Sequence, residues 1–137
     1  EKIMPTELEI WNLFWLANMS NAVYFAGLAF LVWVSFRAAN MVGETDNTIG
    51  KVLVTVFCLV ILFNMNLNGA SAEWVFNSAA GVFSAMQAQG IEISSGAQQL
   101  MANSEPGKEF NLIPNAVGAI FLLAIFGMQM SSIWMKK

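Results

Sequence analysis

The hydrophobic and polar positions divide the chain into apolar segments separated by polar ones, and the first apolar segment is the longest. Residues 10–36 carry no charged side chain, and they follow Thr6-Glu7-Leu8-Glu9, a capping-box pattern that predicts the start of a helix. At a rise of about 1.5 Å per residue, such a helix is roughly 40 Å long. Because a hydrocarbon core is roughly 30 Å thick, we predict a transmembrane helix that tilts or emerges from the bilayer at one end.

The second apolar segment covers residues 52–67 and is rich in β-branched side chains. In water this run would suit a buried strand, but an isolated strand leaves its backbone unsatisfied in lipid, so we predict a second membrane helix. Its far end alternates Asn64, Asn66 and Asn68 with apolar residues. This alternation indicates that the end of the helix lies at the membrane interface or packs against protein.

The last apolar segment covers residues 115–135 and ends in Lys136-Lys137. Pro114 precedes it, and proline is favoured in the first turn of a helix. The segment has roughly the 20 residues that a membrane span requires. We therefore predict a third transmembrane helix.

The long segment between the second and third spans, residues 69–113, is more polar and contains one amphipathic stretch. Residues 73–88 place their apolar side chains on one helical face and their polar ones on the other. The apolar face comprises Val75, Phe76, Ala79, Val82, Phe83 and Met86, and the polar face comprises Glu73, Asn77, Ser84 and Gln87. Such a helix lies in the interface plane or packs on a partner.

Two glycine signals punctuate the rest of this segment. Gly90 is placed to end the amphipathic helix. Residues 91–107 are predicted to be a loop or a short helix, with Pro106-Gly107 as a turn. The predicted fold is an all-α integral membrane protein, a single membrane domain over residues 1–137, with three transmembrane helices and one amphipathic interfacial helix in the loop 69–113.

Tryptophan positions support this division, because tryptophan is enriched where a bilayer meets water. We predict that five tryptophans are interfacial anchors: Trp11, Trp15, Trp33, Trp74 and Trp134.

Composition agrees with a membrane location. Hydrophobic residues make up 57% of the chain and charged residues 11%, whereas a soluble domain carries about 25% charged residues. The formal net charge is −3 and the sequence has no basic tract, which argues against nucleic acid as a partner.

The chemistry-bearing residues are few. The chain has no histidine, the commonest metal ligand and general base. Its nine methionines are interpreted as packing residues, and Cys58, within an apolar run, as a small buried hydrophobe. Phosphate-binding loops, a nucleophilic triad and paired carboxylates are missing. We therefore predict no catalytic residue, metal or cofactor, and no enzymatic activity.

Basic residues predict the orientation. If the loop between spans one and two is cytoplasmic, four basic residues lie on the cytoplasmic side and two on the other side. The four are Arg37, Lys51, Lys136 and Lys137, and the two are Lys2 and Lys108. We predict a multi-pass protein of the plasma (inner) membrane with its N-terminus out and its C-terminus cytoplasmic. The sequence begins at Glu1 without an initiator methionine, either because its first residues are missing or because a leader was removed. A removed leader would be a secretory signal peptide.

Polar and small residues within the outer spans predict contacts. Asn18 and Asn21 share a helix face with Ala22 and Ala26. The last span carries small residues at Ala124, Gly127 and Ser131, and an amide at Gln129. Small residues let helices approach closely, and amides hydrogen-bond across the contact. We predict helix packing or partner contact here; the alternative is a ligand or water site at that depth.

The functional expectation follows from these features. No ionisable group lies within a predicted span, which argues against a self-contained pump or transporter. We expect a non-catalytic accessory subunit of a multi-subunit membrane complex, such as an oxidase, a monooxygenase or another energy-metabolism enzyme. Its partners would be larger membrane subunits and lipids.

Two other functions stay open. Three spans with the N-terminus out resemble one topological class of phage holins, which implies a homo-oligomeric pore. Holins of that class have short loops and a charged tail, whereas this chain has the long segment 69–113 and two terminal lysines. A channel or carrier subunit would need a broken helix or an ionisable group in its spans, and neither is evident apart from the asparagine-rich end of the second span.

Overall fold

The computed structural model describes residues 4–135, and in that range the chain is helical without strands. The elements are α1 (Glu7–Gly43), α2 (Thr48–Ala88), α3 (Ser95–Ala102) and α4 (Ala116–Met130), followed by a π-helical turn (Ser131–Met135). As predicted, three segments are long and apolar enough to cross a membrane: Glu7–Gly43, Thr48–Ala88 and Ala116–Met135.

The predicted capping box starts α1. The Thr6 amide and hydroxyl donate to Glu9 Oε2 at 2.7 and 2.9 Å, and the Glu9 amide donates to Thr6 Oγ1 at 3.3 Å. These bonds satisfy amide groups that the first turn of a helix otherwise leaves without partners. The helix then runs for 37 residues, about 55 Å, so it is longer than the predicted span.

Helix α2 corrects the prediction for residues 64–88. The predicted second span ended at Leu67 and a separate amphipathic helix began at residue 73, but α2 is a single helix of 41 residues. Gly69 does not break it, because one glycine in a helix costs only about 1 kcal/mol. The asparagines are also compatible with it: Asn64 Nδ2 donates to Val60 O of the same helix at 2.9 Å.

Gly90 ends α2, as predicted. Its φ is +78°, in the left-handed region that favours glycine. The Ile91 amide donates to Met86 O and the Gly90 amide to Gln87 O, which is the Schellman motif. The short helix α3 follows, and the Ser94 hydroxyl caps it by accepting from the Ala97 amide at 3.2 Å.

Helix α4 begins after Asn115, whose side chain accepts from the Gly118 amide at 2.6 Å. This agrees with the predicted start within one residue. The predicted span ends differently, because its last turn is π-helical. In this wider turn Ile133 is fully buried, and Trp134 Nε1 donates to Thr55 Oγ1 at 3.1 Å.

The described residues form two compact units. Unit 1 consists of residues 4–22 and Ala70–Asn111, and unit 2 of Val23–Gly69 and residues 112–135. The core of unit 1 contains Ile10, Phe14, Ala79, Phe83, Met86, Ile93 and Ala97. A buried cluster of unit 2 contains Ala39, Cys58 and Ile133.

Candidate functional site

In unit 1 a carboxylate ties the start of α1 to the start of α3. Glu7 Oε2 accepts from the Ser94 amide at 3.0 Å, and Glu7 Oε1 accepts from the Ser94 hydroxyl in a short contact. The Trp11 indole, one turn along α1, also donates to Glu7 Oε1 at 3.0 Å. One side chain thereby fixes the cap of α3 and the orientation of an aromatic ring.

A turn after α3 is fixed to α2 in a comparable way. Lys108 N donates to Glu105 O at 3.1 Å, and Gly107 has a φ of +74°, so Pro106-Gly107 forms the predicted turn. The Glu105 amide donates to Asn77 Oδ1 at 2.9 Å, and the Gly107 amide donates to Asn77 O at 3.0 Å.

Gly81 allows this turn to lie directly on α2. A Cβ at position 81 would stand 2.9 Å from Gly107 N and 3.1 Å from Gly107 Cα. At these distances the backbone of the turn would have to move away from α2. Asn77 itself is only 4% exposed. The residue predicted on the polar, outward face of the amphipathic helix is therefore a buried partner of the turn.

Lys108 adds an ion pair at the edge of this contact. Its Nζ lies 2.8 Å from Glu105 Oε2 and 3.5 Å from Glu73 Oε1. The hydrogen bond with Glu105, assisted by Glu73, raises the pKa of Lys108 above its ordinary value.

An open cleft of about 350 Å³ lies among α1, α2 and α3 within unit 1, and we call it the aromatic cleft. Its lining residues are Trp11, Phe14, Trp15, Phe76, Gly96, Gln99, Leu100, Asn103 and Ser104. Four are aromatic, three carry neutral hydrogen-bonding side chains, and none is charged. The cleft thus suits a neutral molecule with an apolar body and a polar edge.

A second, apolar groove of about 250 Å³ flanks Phe14 in the same unit. It is lined by Pro5, Ile10, Leu13, Phe14, Trp74, Val75, Ser78, Ala79 and Val82. The predicted apolar face of residues 73–88 contributes to this groove and to the buried core. Ala79, Phe83 and Met86 lie in that core, so much of this face is covered by the chain itself.

In unit 2 the buried polar contact joins α1 to α4. Gln129 Nε2 donates to Ser35 Oγ at 2.7 Å, and both side chains are fully buried. Ser35 in turn donates to Val32 O of its own helix. Among the described residues Gln129 Oε1 finds no hydrogen-bond partner.

The remaining packing residues predicted from the sequence occupy less buried positions. Asn18 is half-buried and donates to Phe14 O of its own helix at 2.8 Å, and Asn21 is also half-buried. The small residues are exposed: Ala22, Ala26, Ala124, Gly127 and Ser131. A Cβ at Gly127 would meet nothing within 4 Å. Of the predicted packing residues, Gln129 is the one that the described part of the chain buries completely.

The five tryptophans also differ from one another. Trp11 is half-buried and packs beside Phe83, with ring centroids 5.2 Å apart. The other four are exposed: Trp15, Trp33, Trp74 and Trp134. Trp33 lies beneath the Arg37 guanidinium, 5.6 Å from ring to cation. Anchoring at an interface stays a prediction for all five, and the Trp11 ring also packs against the core of unit 1.

Sequence reasoning did not identify Glu7, Ser94 and Asn77 as the residues that position this unit. Ser94 carried a usable signal, because serine before a short helical stretch is a favoured N-cap. Glu7 and Asn77 carried none, since their partners lie 87 and 28 positions away along the chain.

Within residues 4–135, no three or more histidine, cysteine, aspartate or glutamate side chains are grouped so that they could hold a metal ion. Comparison of the chain with protein-family models, with curated proteins and with solved structures finds no match.

Proposed function

We propose that this protein is a non-catalytic accessory subunit of a multi-subunit membrane complex, for example a membrane-bound oxidase, monooxygenase or other energy-metabolism enzyme. The observation that carries the proposal is the apolar surface that the chain leaves uncovered. In the most apolar window of each candidate span, only 17% of the residues are buried within the chain. Lipid and larger membrane subunits are the partners that such a surface suits.

Small residues mark where protein rather than lipid would pack. Ala22 and Ala26 are exposed one turn apart on α1, and Gly127 is exposed on α4. Close helix approach requires small side chains, whereas lipid contact does not. We assign these positions to contacts with neighbouring subunits.

Four of the six acidic side chains in the described part of unit 1 support a non-catalytic role. Glu7 holds the cap of α3, Glu9 caps α1, and Glu73 and Glu105 pair with Lys108. These four carboxylates are engaged in structural contacts. A catalytic carboxylate would instead face a substrate site.

The test is native mass spectrometry of the tagged chain after mild detergent solubilisation from its own membrane. We expect stoichiometric co-migration with larger subunits. Ala26→Phe and Gly127→Phe should each release the chain, because a bulky side chain prevents close approach. The matched controls Leu31→Phe and Met128→Phe change exposed, already bulky residues on the same helices and should leave the complex intact.

Orientation is part of the proposal. If the loop between α1 and α2 is cytoplasmic, the basic residues Arg37 and Lys51 lie on the cytoplasmic side of the plasma membrane. In a Cys58→Ser background, Gln98→Cys should react with an impermeant maleimide in intact cells. Asp46→Cys should react only after permeabilisation, and the reverse pattern would refute this orientation.

The amphipathic part of α2 belongs to the same proposal. Trp74 is 48% exposed although its neighbours on the helix enter the core. An exposed indole next to Glu73 suits the membrane interface. We propose that this part of α2 lies at the non-cytoplasmic surface of the bilayer.

One observation favours a second candidate, a homo-oligomeric pore. Tyr24 is 52% exposed on a candidate span, and its hydroxyl donates to Asn64 Oδ1 at 3.2 Å. Polar groups uncovered at membrane depth face either protein or water. Release of a trapped dye from liposomes by the purified chain would favour the pore, and retention would favour the accessory role.

A further inference from the structure

The aromatic cleft of unit 1 has two walls of different chemistry. One wall carries the rings of Trp11, Phe14, Trp15 and Phe76. The other wall is α3 with the residues that follow it, and its lining residues include Gln99, Ser104 and Asn103, whose Nδ2 donates to Gln99 O at 3.0 Å. A molecule between these walls would stack on rings on one side and meet hydrogen-bonding groups on the other.

Contacts among the rings give the first wall a fixed shape. Phe14 makes edge-to-face contacts with Trp11, Trp15 and Phe76, at centroid distances of 5.5, 5.3 and 4.9 Å. These are preferred geometries for aromatic pairs, so each ring restrains its neighbours. The Trp11 ring is restrained further by its hydrogen bond to Glu7.

The opposite wall is held at both of its ends. Glu7 binds Ser94 before α3, and Asn77 binds Glu105 and Gly107 after it. The position of α3 is therefore fixed by hydrogen bonds outside the cleft, together with the packing of Ala97 in the core of unit 1.

Gly96 contributes to this space. A Cβ at position 96 would lie 3.7 Å from Trp11 Cζ2, an ordinary contact distance, so alanine would fit without strain. Alanine would also favour the helix, since glycine is the poorer helix former. The glycine keeps the space in front of the Trp11 ring open at some cost to α3.

Size and charge define the ligand. None of the lining residues is charged, so the cleft offers no compensation for an ionic group. A cavity of about 150 Å³ is enough for benzene, so about 350 Å³ suits one or two substituted rings. We propose that the aromatic cleft binds a neutral one- or two-ring molecule carrying carbonyl or hydroxyl oxygens, of the chemical class of a quinone.

Such a ring could come from two sources, the aqueous phase or the bilayer. Two probes distinguish them: duroquinone, a fully substituted ring without a tail, and decylubiquinone, which carries an alkyl tail and partitions into membranes. Both should quench the fluorescence of Trp11 and Trp15 in the purified full chain. Binding of duroquinone in detergent would show that the ring alone is recognised and can arrive from the aqueous phase. Binding of decylubiquinone alone, in liposomes, would show that the ligand arrives from the bilayer.

Two variants test the location of the site. Gly96→Leu fills the cleft and should weaken saturable quenching about tenfold or more. Gln98→Leu, on the same helix but not lining the cleft, should stay within about twofold of the wild type. Trp15→Ala removes a ring that is 60% exposed, so folding should survive, and it should weaken binding about three- to tenfold.

Either of two results would overturn the proposal. Quenching by both probes that rises linearly without saturation would mean collision rather than binding. Saturable binding that is equally strong in the wild type, Gly96→Leu and Trp15→Ala would place the ligand elsewhere. This inference does not depend on membership of a complex, because the purified chain alone is tested.

Discussion

Units 1 and 2 contain stretches of the same two long helices, yet they differ in the size of the side chains they bury completely and in how many hydrogen bonds hold their connecting segments. In unit 1 large side chains such as Phe83 are fully buried, and polar side chains tie the connecting segments to the helices. In unit 2 one buried cluster contains Ala39, Cys58 and Ile133, and the buried polar contact joins Gln129 to Ser35.

Large apolar side chains are exposed in both units: Leu8 by 70% in unit 1 and Val23 by 73% in unit 2. Lipid or another protein suits such a surface. Unit 1 also fixes the loops at residues 89–94 and 103–111 with directed hydrogen bonds from Glu7 and Asn77. Substitutions in the two units should separate these contributions.

The largest effect should come from the core of unit 1. Phe83→Ala removes a fully buried ring and should destabilise the unit by about 3–5 kcal/mol. Amide hydrogen exchange of residues 89–111 in detergent should speed up accordingly, since local opening becomes easier. The matched control Phe63→Ala, at a position 55% exposed in unit 2, should leave that exchange unchanged. Equal effects of the two variants would contradict the contrast between the units.

An intermediate effect is expected at Asn77. Asn77→Leu removes the acceptor of the Glu105 amide at a position only 4% exposed. A donor left without its partner costs about 1–3 kcal/mol. Faster exchange should be confined to residues 103–109, while α3 stays protected through its bond to Glu7. Unchanged exchange at the turn would mean that the Asn77 contact adds nothing to its stability.

The smallest effect is expected at Gln129, although its side chain is buried as completely as that of Asn77. Gln129→Met removes an amide whose Oε1 has no partner in the described part of the chain, and Ser35 keeps its bond to Val32 O. The free energy of unfolding should therefore change by less than about 1 kcal/mol. Ser35→Ala leaves the whole Gln129 amide unpaired and should cost more, about 1–3 kcal/mol. Thermal melting in detergent compares the two, and a greater loss in Gln129→Met would show that its amide is satisfied.

Local signals in the sequence predicted much of the fold. The Thr6–Glu9 capping box, Gly90 and the Pro106-Gly107 turn act over a few residues, and all three form as predicted. The length of α2 was not predictable in this way. The asparagines before Gly69 looked like a helix end, whereas Asn64 bonds to its own helix and Asn66 to Leu112 O, 46 positions away.

The candidate site was less accessible from sequence. Trp11 and Trp15 were interpreted as anchors and Phe76 as part of a helix face, because a linear pattern cannot show that α1, α2 and α3 line one cleft. Periodicity also placed Asn77 on the polar face, and polar residues there are usually solvated. The turn that buries Asn77 contains Gly107, 30 positions later, so only the folded chain reveals the contact.

Site-specific photo-cross-linking tests the accessory role most directly. Gly127 is exposed, and a Cβ there would meet nothing within 4 Å, so a benzophenone amino acid at this position would report what covers α4 in the native membrane. We predict one dominant adduct with a larger membrane subunit, identified by mass spectrometry, and a much weaker one from Met128. Adducts with lipid alone, or with a second copy of this chain, would contradict the account.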